Sequence, residues 1–275
     1  MTAAVFTAAS VQVNAGPEIG PNLEAAGTLV RRARDAGADF ITMPENVSLI
    51  VQGRAKVLAR VRPESDHPAL PYFQELARET GAWLLVGSLG ILLEDGRVAN
   101  RSFLIDGAGG IQARYDKIHM FDVDLPGGES YRESATFRPG KRAVLAETPW
   151  GGLGLTICYD LRFAHLFRTL AQSGAGIITV PAAFTAPTGR AHWHILLRAR
   201  AIETGCFVIA PAQCGVHDEG RLTYGHSLIV GPWGEILAEA GEEPGVITAR
   251  IDMARVAECR GMVPALRHDR AFTGP

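Results

Sequence analysis

Gly154-Leu-Thr-Ile-Cys-Tyr-Asp-Leu-Arg-Phe163 carries an apolar strand into a helix across a single thiol, Cys158. The run 152–157 is short and apolar, as a strand should be, and 163–173 has helical spacing. A side chain at such a junction stands at the C-terminal edge of a sheet, where open α/β sheets form their binding crevices. The N-terminus of the following helix favours a thiolate and offers backbone N–H groups to a developing oxyanion. The sequence around this junction therefore predicts an α/β fold with a reactive edge.

Outward from it, strands alternate with helices. Residues 4–13 and 39–43 read as strands, and 17–36 as a helix stopped by Gly37. Residues 68–80 form a second helix before Gly81, and 83–93 is almost continuously apolar, as a strand buried on both faces should be. Residues 98–106 and 112–115 are further strands, joined by the turn 107–110. The charged, Gly/Pro-rich stretch 117–140 reads as a long functional loop. Beyond the Cys158 junction, 176–180 is a strand and 191–204 the clearest helix, with Ile195, Leu196, Ala199 and Ile202 on its apolar face. Strands at 206–212, 227–230, 235–240 and 246–251 come after it, with Gly231-Pro232-Trp233-Gly234 as a hairpin turn. There is no repeat and no linker, so residues 1–275 read as one domain, with mixed rather than purely parallel sheets.

Composition narrows the function. Net charge is −2, with 27 basic and 29 acidic residues and no basic run, which argues against a nucleic-acid partner. The longest uncharged stretch, 169–189, is about as long as a membrane span, but Gln172, Gly174, Gly176, Pro181 and Pro187 make it strand and loop. Nothing in Met-Thr-Ala-Ala-Val-Phe reads as a signal peptide, so the expectation is a cytoplasmic protein that binds no membrane. Four cysteines with no C-x-x-C pair imply reduced thiols.

Several residues are candidates for chemistry. Cys158 is the candidate nucleophile; Cys206 sits in an apolar strand and reads as core, and Cys214 and Cys259 have weaker claims. Glu45 ends Phe-Ile-Thr-Met-Pro-Glu-Asn, and burial would raise its pKa toward that of a general base. Lys117, straight after a short strand, is placed to stabilise an oxyanion and lower the thiol pKa. Taken singly, Glu45 is better read as an exposed loop carboxylate or helix cap, Lys117 as a solvated surface lysine and Glu133 as an ordinary loop residue. His192 and His194 lie two apart on a helix and so point to nearly opposite faces, which argues against a shared metal. No G-x-S-x-G elbow, phosphate loop or complete G-x-G-x-x-G is present.

Together, Met-Pro-Glu45-Asn, Tyr-Asp-Lys117-Ile-His and Thr-Ile-Cys158-Tyr-Asp-Leu-Arg resemble the Glu-Lys-Cys set of the nitrilase, or carbon–nitrogen hydrolase, superfamily. The resemblance runs from the first strand to about Ile251. Residues 117–127, Tyr131-Arg-Glu133-Ser, 191–204, Ala212-Gln-Cys-Gly, Tyr224-Gly-His-Ser and Pro232-Trp-Gly are similar to the branch holding deaminated glutathione amidase and omega-amidase.

The resemblance implies a four-layer α-β-β-α sandwich whose subunits form a homodimer or higher homo-oligomer through helices. It implies a catalytic set of Glu45, Lys117 and Cys158, with Glu133 as an additional glutamate. In that scheme Glu45 takes the thiol proton, Cys158 attacks a small ω-amide, and Lys117 with the Tyr159 N–H holds the oxyanion. A thioester then hydrolyses to the carboxylic acid, ammonia having left, and no metal or organic cofactor takes part. Deaminated glutathione or a 2-oxo acid ω-amide such as 2-oxoglutaramate is the expected substrate. Arg162, Thr185 and Thr188 are candidates for its carboxylate end, with Phe121 and Phe184 as apolar walls. A nitrile or N-carbamoyl hydrolase, or a non-catalytic binder on the same fold, is the alternative.

Overall fold

The computed structural model describes residues 4–125 and 129–274. Residues 1–3 of the opening segment, Pro126-Gly127 of the Lys117 motif and Pro275 lie outside it. The strands in the first half are β1 (Val5–Gln12), β2 (Phe40–Thr42), β3 (Trp83–Leu92), β4 (Val98–Ile105), β5 (Ile111–Asp116), β6 (Asp122–Asp124) and β7 (Ser130–Arg132). Then come β8 (Val144–Thr148), β9 (Gly151–Leu155), β10 (Ala175–Thr179), β11 (Phe207–Ala210) and β12 (Cys214–Val216). The last four are β13 (Leu222–Tyr224), β14 (Leu228–Val230), β15 (Ile236–Glu239) and β16 (Gly245–Asp252). The helices are α1 (Ile19–Asp35), α2 (Arg54–Arg60), α3 (Ala69–Thr80), α4 (Ala164–Gln172), α5 (Ala186–Thr204) and α6 (Ala254–Met262).

Two six-stranded sheets result, ordered β16-β1-β2-β3-β4-β5 and β15-β14-β11-β10-β9-β8. Both mix parallel and antiparallel pairs. Alternation along each strand decides what lies on either side. Phe6, Ala8, Phe40, Leu85 and Leu104 face Leu153, Leu155, Ile177 and Val208, making a core between the sheets. Ala9, Val11, Ile41, Leu84 and Val86 point outward to Leu23, Ala26 and Val30 of α1 and Leu70, Phe73 and Leu76 of α3. Helices α4 and α5 cover the other sheet. The order of layers is helix, sheet, sheet, helix, as the resemblance implies.

Two expectations need correction. The long loop 117–140 is partly ordered: β6 and β7 pair as a hairpin, and a 3-10 turn, Glu133–Ala135, comes next. Their sequences, Asp-Val-Asp and Ser-Tyr-Arg, have no apolar pattern to announce a strand. Helix α5 is longer than expected and buries a different face. Trp193, Leu197 and Ala201 are inside, whereas Ile195 is 70% and Ile202 57% exposed. The helix carries two apolar stripes, so periodicity cannot choose between them. Side-chain bonds into the fold settle it: Trp193 Nε1 donates to the His226 carbonyl at 2.7 Å, and Arg200 Nε to the Leu161 carbonyl at 2.9 Å. Among the described residues no helix is long and apolar enough to cross a membrane.

Candidate active site

Two sharp turns, one from each sheet, meet at the strand ends. After β2, Met43-Pro44 leads to Glu45, and Asn46 turns the chain with a left-handed φ of 55°. The Asn46 N–H donates to Ser88 Oγ at 2.8 Å. Gln213 Nε2 donates to the Glu45 carbonyl at 3.0 Å. The turn also needs Gly87, where a Cβ would stand 1.9 Å from the Met43 carbonyl oxygen.

After β9, Cys158 itself has φ 50°, a conformation that costs a non-glycine residue about 1 kcal/mol or more. Its N–H donates to the Pro181 carbonyl at 2.9 Å. Asp160 secures the turn: its carboxylate accepts the Ile157 N–H at 2.9 Å, the His119 N–H at 3.1 Å and the Tyr115 hydroxyl at 2.6 Å. Cys158 opens a 3-10 turn, Cys158–Arg162, and only after it does α4 begin.

Lys117 leaves the end of β5 and lies between two carboxylates. Its Nζ donates to Glu45 Oε1 at 2.9 Å and to Glu133 Oε1 and Oε2 at 3.0 and 2.9 Å. Glu45 is 3% and Lys117 2% exposed. Glu45 also accepts Asn100 Nδ2 at 2.8 Å and the Ala183 N–H at 3.0 Å. Glu133 accepts the Phe121 N–H at 2.6 Å. Each ammonium proton thus has an acceptor, which is what a buried charge requires.

The electrostatics differ from the sequence expectation. Burial pushes the Glu45 carboxyl up, but the Lys117 ammonium and the donated hydrogen bonds outweigh it and hold it below the usual carboxylate range. Burial pulls the Lys117 ammonium down, and Glu133 and Glu45 more than reverse this. Burial and then the Glu45 charge push the Cys158 thiol well up, against the opposing pull of Lys117. Two carboxylates facing one ammonium leave the neighbourhood negative, so a thiolate is disfavoured there. The resting arrangement is carboxylate, ammonium and neutral thiol.

Above these groups lies a cavity of about 350 Å³. Glu45, Lys117, Glu133, Cys158, Tyr159, Phe121, Phe184, Thr185 and Thr188 all line it. The Thr185 and Thr188 hydroxyls bond each other at 2.8 Å. Arg162 is not among the lining residues. Its guanidinium lies against His192 Nδ1 at 3.3 Å and over the rings of Tyr159 and Phe184, and Asp160 bonds other partners. Arg221, absent from the sequence candidates, does line the cavity. Asn100 is also new; its one legible signal is an amide inside the apolar strand β4.

His192 and His194 go to separate partners. His194 Nε2 meets Glu239 Oε1 at 2.8 Å, and His226 Nδ1 meets the same oxygen at 3.0 Å. This His-Glu-His cluster joins three elements distant in sequence, so residue spacing gives no hint of it.

The family model described as carbon-nitrogen hydrolase matches residues 7–261. A deaminated glutathione amidase of Synechocystis is 40% identical over 267 residues, 96% of this chain and 97% of that protein. Among solved structures, the C. elegans NitFhit protein superposes with a TM-score of 0.91 at 34% identity, over 98% of this chain and 66% of that one. A mutant amidase from Nesterenkonia sp. AN1 gives a TM-score of 0.82 at 27% identity, over 96% of this chain and 94% of that one. It carries the acetamide moiety of fluoroacetamide added covalently at its active-site cysteine.

Proposed function

The chain belongs to the carbon–nitrogen hydrolase family, the nitrilase superfamily, and is an amide-cleaving hydrolase; on that premise we propose that Cys158 is its nucleophile, Glu45 its general base and Lys117 its oxyanion ligand. One observation carries this reading. A hydrogen-bonded Glu45–Lys117–Glu133 cluster, with Glu45 and Lys117 buried, lines one cavity together with a strained thiol. A buried ion cluster is a poor source of stability, so its presence beside a nucleophile points to chemistry.

Because the thiol is neutral at rest, its proton leaves during attack. Glu45 takes that proton as the sulfur bonds to the amide carbon. Lys117 and the Tyr159 N–H hold the oxyanion. Glu45 returns the proton to the amide nitrogen, the C–N bond breaks, and a thioester remains. Water, deprotonated by Glu45, attacks the thioester and releases the acid and the thiol. Glu133 orients Lys117, taking two of its N–H bonds. Asn100 holds Glu45 in place from the other side.

The substrate is a small ω-amide. Relatives named deaminated glutathione amidase support a 2-oxo acid skeleton. A primary amide such as 2-oxoglutaramate releases ammonia, and deaminated glutathione releases its dipeptide amine instead. Residues 1–275 act as one catalytic domain, since Glu45 and Lys117 come from one sheet and Cys158 from the other. Four free thiols support a cytoplasmic location. A homodimer through α5 is supported by the exposed Ile195 and Ile202, the latter lining one hollow with exposed Trp233 and Val263.

The test follows amine release from ω-amides, nitriles and N-carbamoyl amines, using Cys158→Ala with Cys206→Ala as control. Intact mass detects an acyl adduct on the protein. We expect ω-amides to be preferred and Cys158→Ala to lose at least about 10³-fold in turnover. Full activity in that variant would refute the nucleophile assignment, and preference for a nitrile would refute the substrate class.

A further inference from the structure

We infer that Arg221 anchors a carboxylate at the far end of the substrate, so that an ω-amide carrying that carboxylate is preferred over its uncharged match in chain length. The inference rests on the amidase reading above and deepens it.

Among the described residues, four cations line the cavity: Lys117, Arg54, Arg132 and Arg221. Lys117 is held by Glu45 and Glu133. Arg132 is exposed and grips both oxygens of Asp124 at 2.8 and 2.9 Å. Arg54 is exposed at the rim and donates to the Ala135 carbonyl. Arg221 differs from all three. The acidic residues nearest it in sequence, Asp218 and Glu219, both pair with Lys56. Its Nη2 donates to the Ala183 carbonyl at 3.0 Å, and its guanidinium lies 5.9 Å over the Tyr131 ring. Its Nε is buried and has no hydrogen-bond partner among the described residues. Buried donors are rarely left so. No carboxylate of the described residues lies within ion-pair reach of this guanidinium, and a substrate carboxylate in the cavity, presenting two coplanar oxygens to its fork, supplies that partner.

Ala183 sets the distance to the chemistry. Its N–H donates to Glu45 Oε2 at 3.0 Å while its carbonyl accepts from Arg221 Nη2 at 3.0 Å. The nitrogen and oxygen of one residue lie within about 4 Å of each other, so Glu45 and Arg221 are at most about 10 Å apart. An extended five-carbon acid measures roughly 5 Å between its terminal carbons. Cys158 and Arg221 line the same cavity, and such an acid fits within that limit with its amide toward Glu45 and its carboxylate toward Arg221. Charge fixes the direction. The floor holds two carboxylates against one ammonium and repels an anion, whereas Arg221 attracts it.

The experiment compares glutaramate with pentanamide, its uncharged match in chain length, by ammonia release. It uses the wild type, Arg221→Gln, Arg221→Lys and Arg162→Gln. The ratio of kcat/KM for the two amides should fall about tenfold or more in Arg221→Gln, with the loss in KM for glutaramate. Arg221→Lys should recover part of the ratio, which a folding defect would not allow. Calorimetric titration with glutarate needs no turnover and should show binding weakened about tenfold or more in Arg221→Gln. An unmoved ratio and equal glutarate binding, or a ratio that collapses in Arg162→Gln instead, overturns the inference. The underlying reading fails separately: amide turnover that survives Cys158→Ala removes the nucleophile, and the glutarate titration still decides Arg221.

Discussion

The two six-stranded sheets share one wiring and carry unlike side chains at their ends. In the first, β1, β2 and β3 run parallel, β16 lies antiparallel beside β1, and β4 and β5 follow β3 antiparallel. In the second, β9, β10 and β11 run parallel, β8 lies antiparallel beside β9, and β14 and β15 follow β11 antiparallel. A proline follows the middle parallel strand in both: Met43-Pro44-Glu45 in one, Val180-Pro181-Ala182-Ala183 in the other. These two loops touch, since the Ala183 N–H bonds Glu45. The first sheet ends in the acid and the ammonium, the second in the thiol. The wiring makes an edge, and the residue after each strand decides what that edge does.

The sharpest way to break this division is to remove the first sheet's cation. Lys117→Met should lower kcat/KM by at least about 10³-fold and stability by about 3 kcal/mol, because buried Glu45 and half-buried Glu133 lose their counter-charge. The second sheet has its own cation and thiol, Arg260 Nη2 and Cys206 Sγ at 3.1 Å. Arg260→Met should cost stability and leave turnover per folded molecule close to wild type. Assay beside chemical denaturation measures both, and equal losses of turnover would erase the distinction.

Two glycines sharpen the comparison. At Gly87 a Cβ meets backbone, 1.9 Å from Met43 O and 2.4 Å from Pro44 O. At Gly154 it meets side chains, 3.1 Å from Leu170 Cδ1. Gly87→Ala should destabilise by about 3 kcal/mol and displace Glu45, and Gly154→Ala by about 1 kcal/mol or less. Thermal melts of the two variants rank them, and the opposite order would show that the Glu45 turn yields easily.

Acid should strike the two layers of the first sheet in different windows. Burial, and then the charge of Arg62, lower the His67 pKa to about 4. Its Nδ1 accepts the Ala69 N–H at 3.2 Å, at the start of α3. The unfolded chain binds that proton near pH 6.5, so the stability held by neutral His67 is full above about 6.5. It is lost as pH falls toward 4, at no more than about 1.4 kcal/mol per pH unit, and His67→Gln should flatten the slope. Glu45 is lowered instead, so its contribution is full above the ordinary glutamate range and is lost only as pH falls through its lowered value, and kcat/KM should hold on the acid side through that ordinary range. Denaturation and rate profiles across pH 4–8 separate the two. The smallest effect belongs to the outer helix. Ile195→Ser should change unfolding by about 0.5 kcal/mol or less while sedimentation shifts toward monomer.

Much of the architecture is legible in local pattern. Apolar runs give β1, β3, β9 and β10, and Gly81 and Gly205 mark the ends of α3 and α5 in the left-handed conformation. The shared wiring is not legible, because the two halves reach it through different residues and show no repeat. Glu45, Lys117, Glu133 and Cys158 are visible as motifs. Their electrostatics are not: Lys117 and donated hydrogen bonds hold the Glu45 carboxyl down against burial, while burial and the Glu45 charge push the Cys158 thiol up, and only folding brings these groups together. The Ala183 N–H, Asn100 and Arg221 escape for the same reason. Arg162 stands out beside Cys158 in sequence, yet the 3-10 turn carries it to His192 and away from the cavity lining.

The surplus negative charge on the cavity floor bears on the fate of the product once the bond has been cleaved. An uncharged amide approaches Glu45 and Glu133 without penalty, but hydrolysis replaces it with an anion at the same spot. On the proposed mechanism the new carboxylate is repelled there while the far carboxylate stays with Arg221, so the acid should bind less tightly than its amide, and resynthesis of the amide should meet an electrostatic barrier at entry.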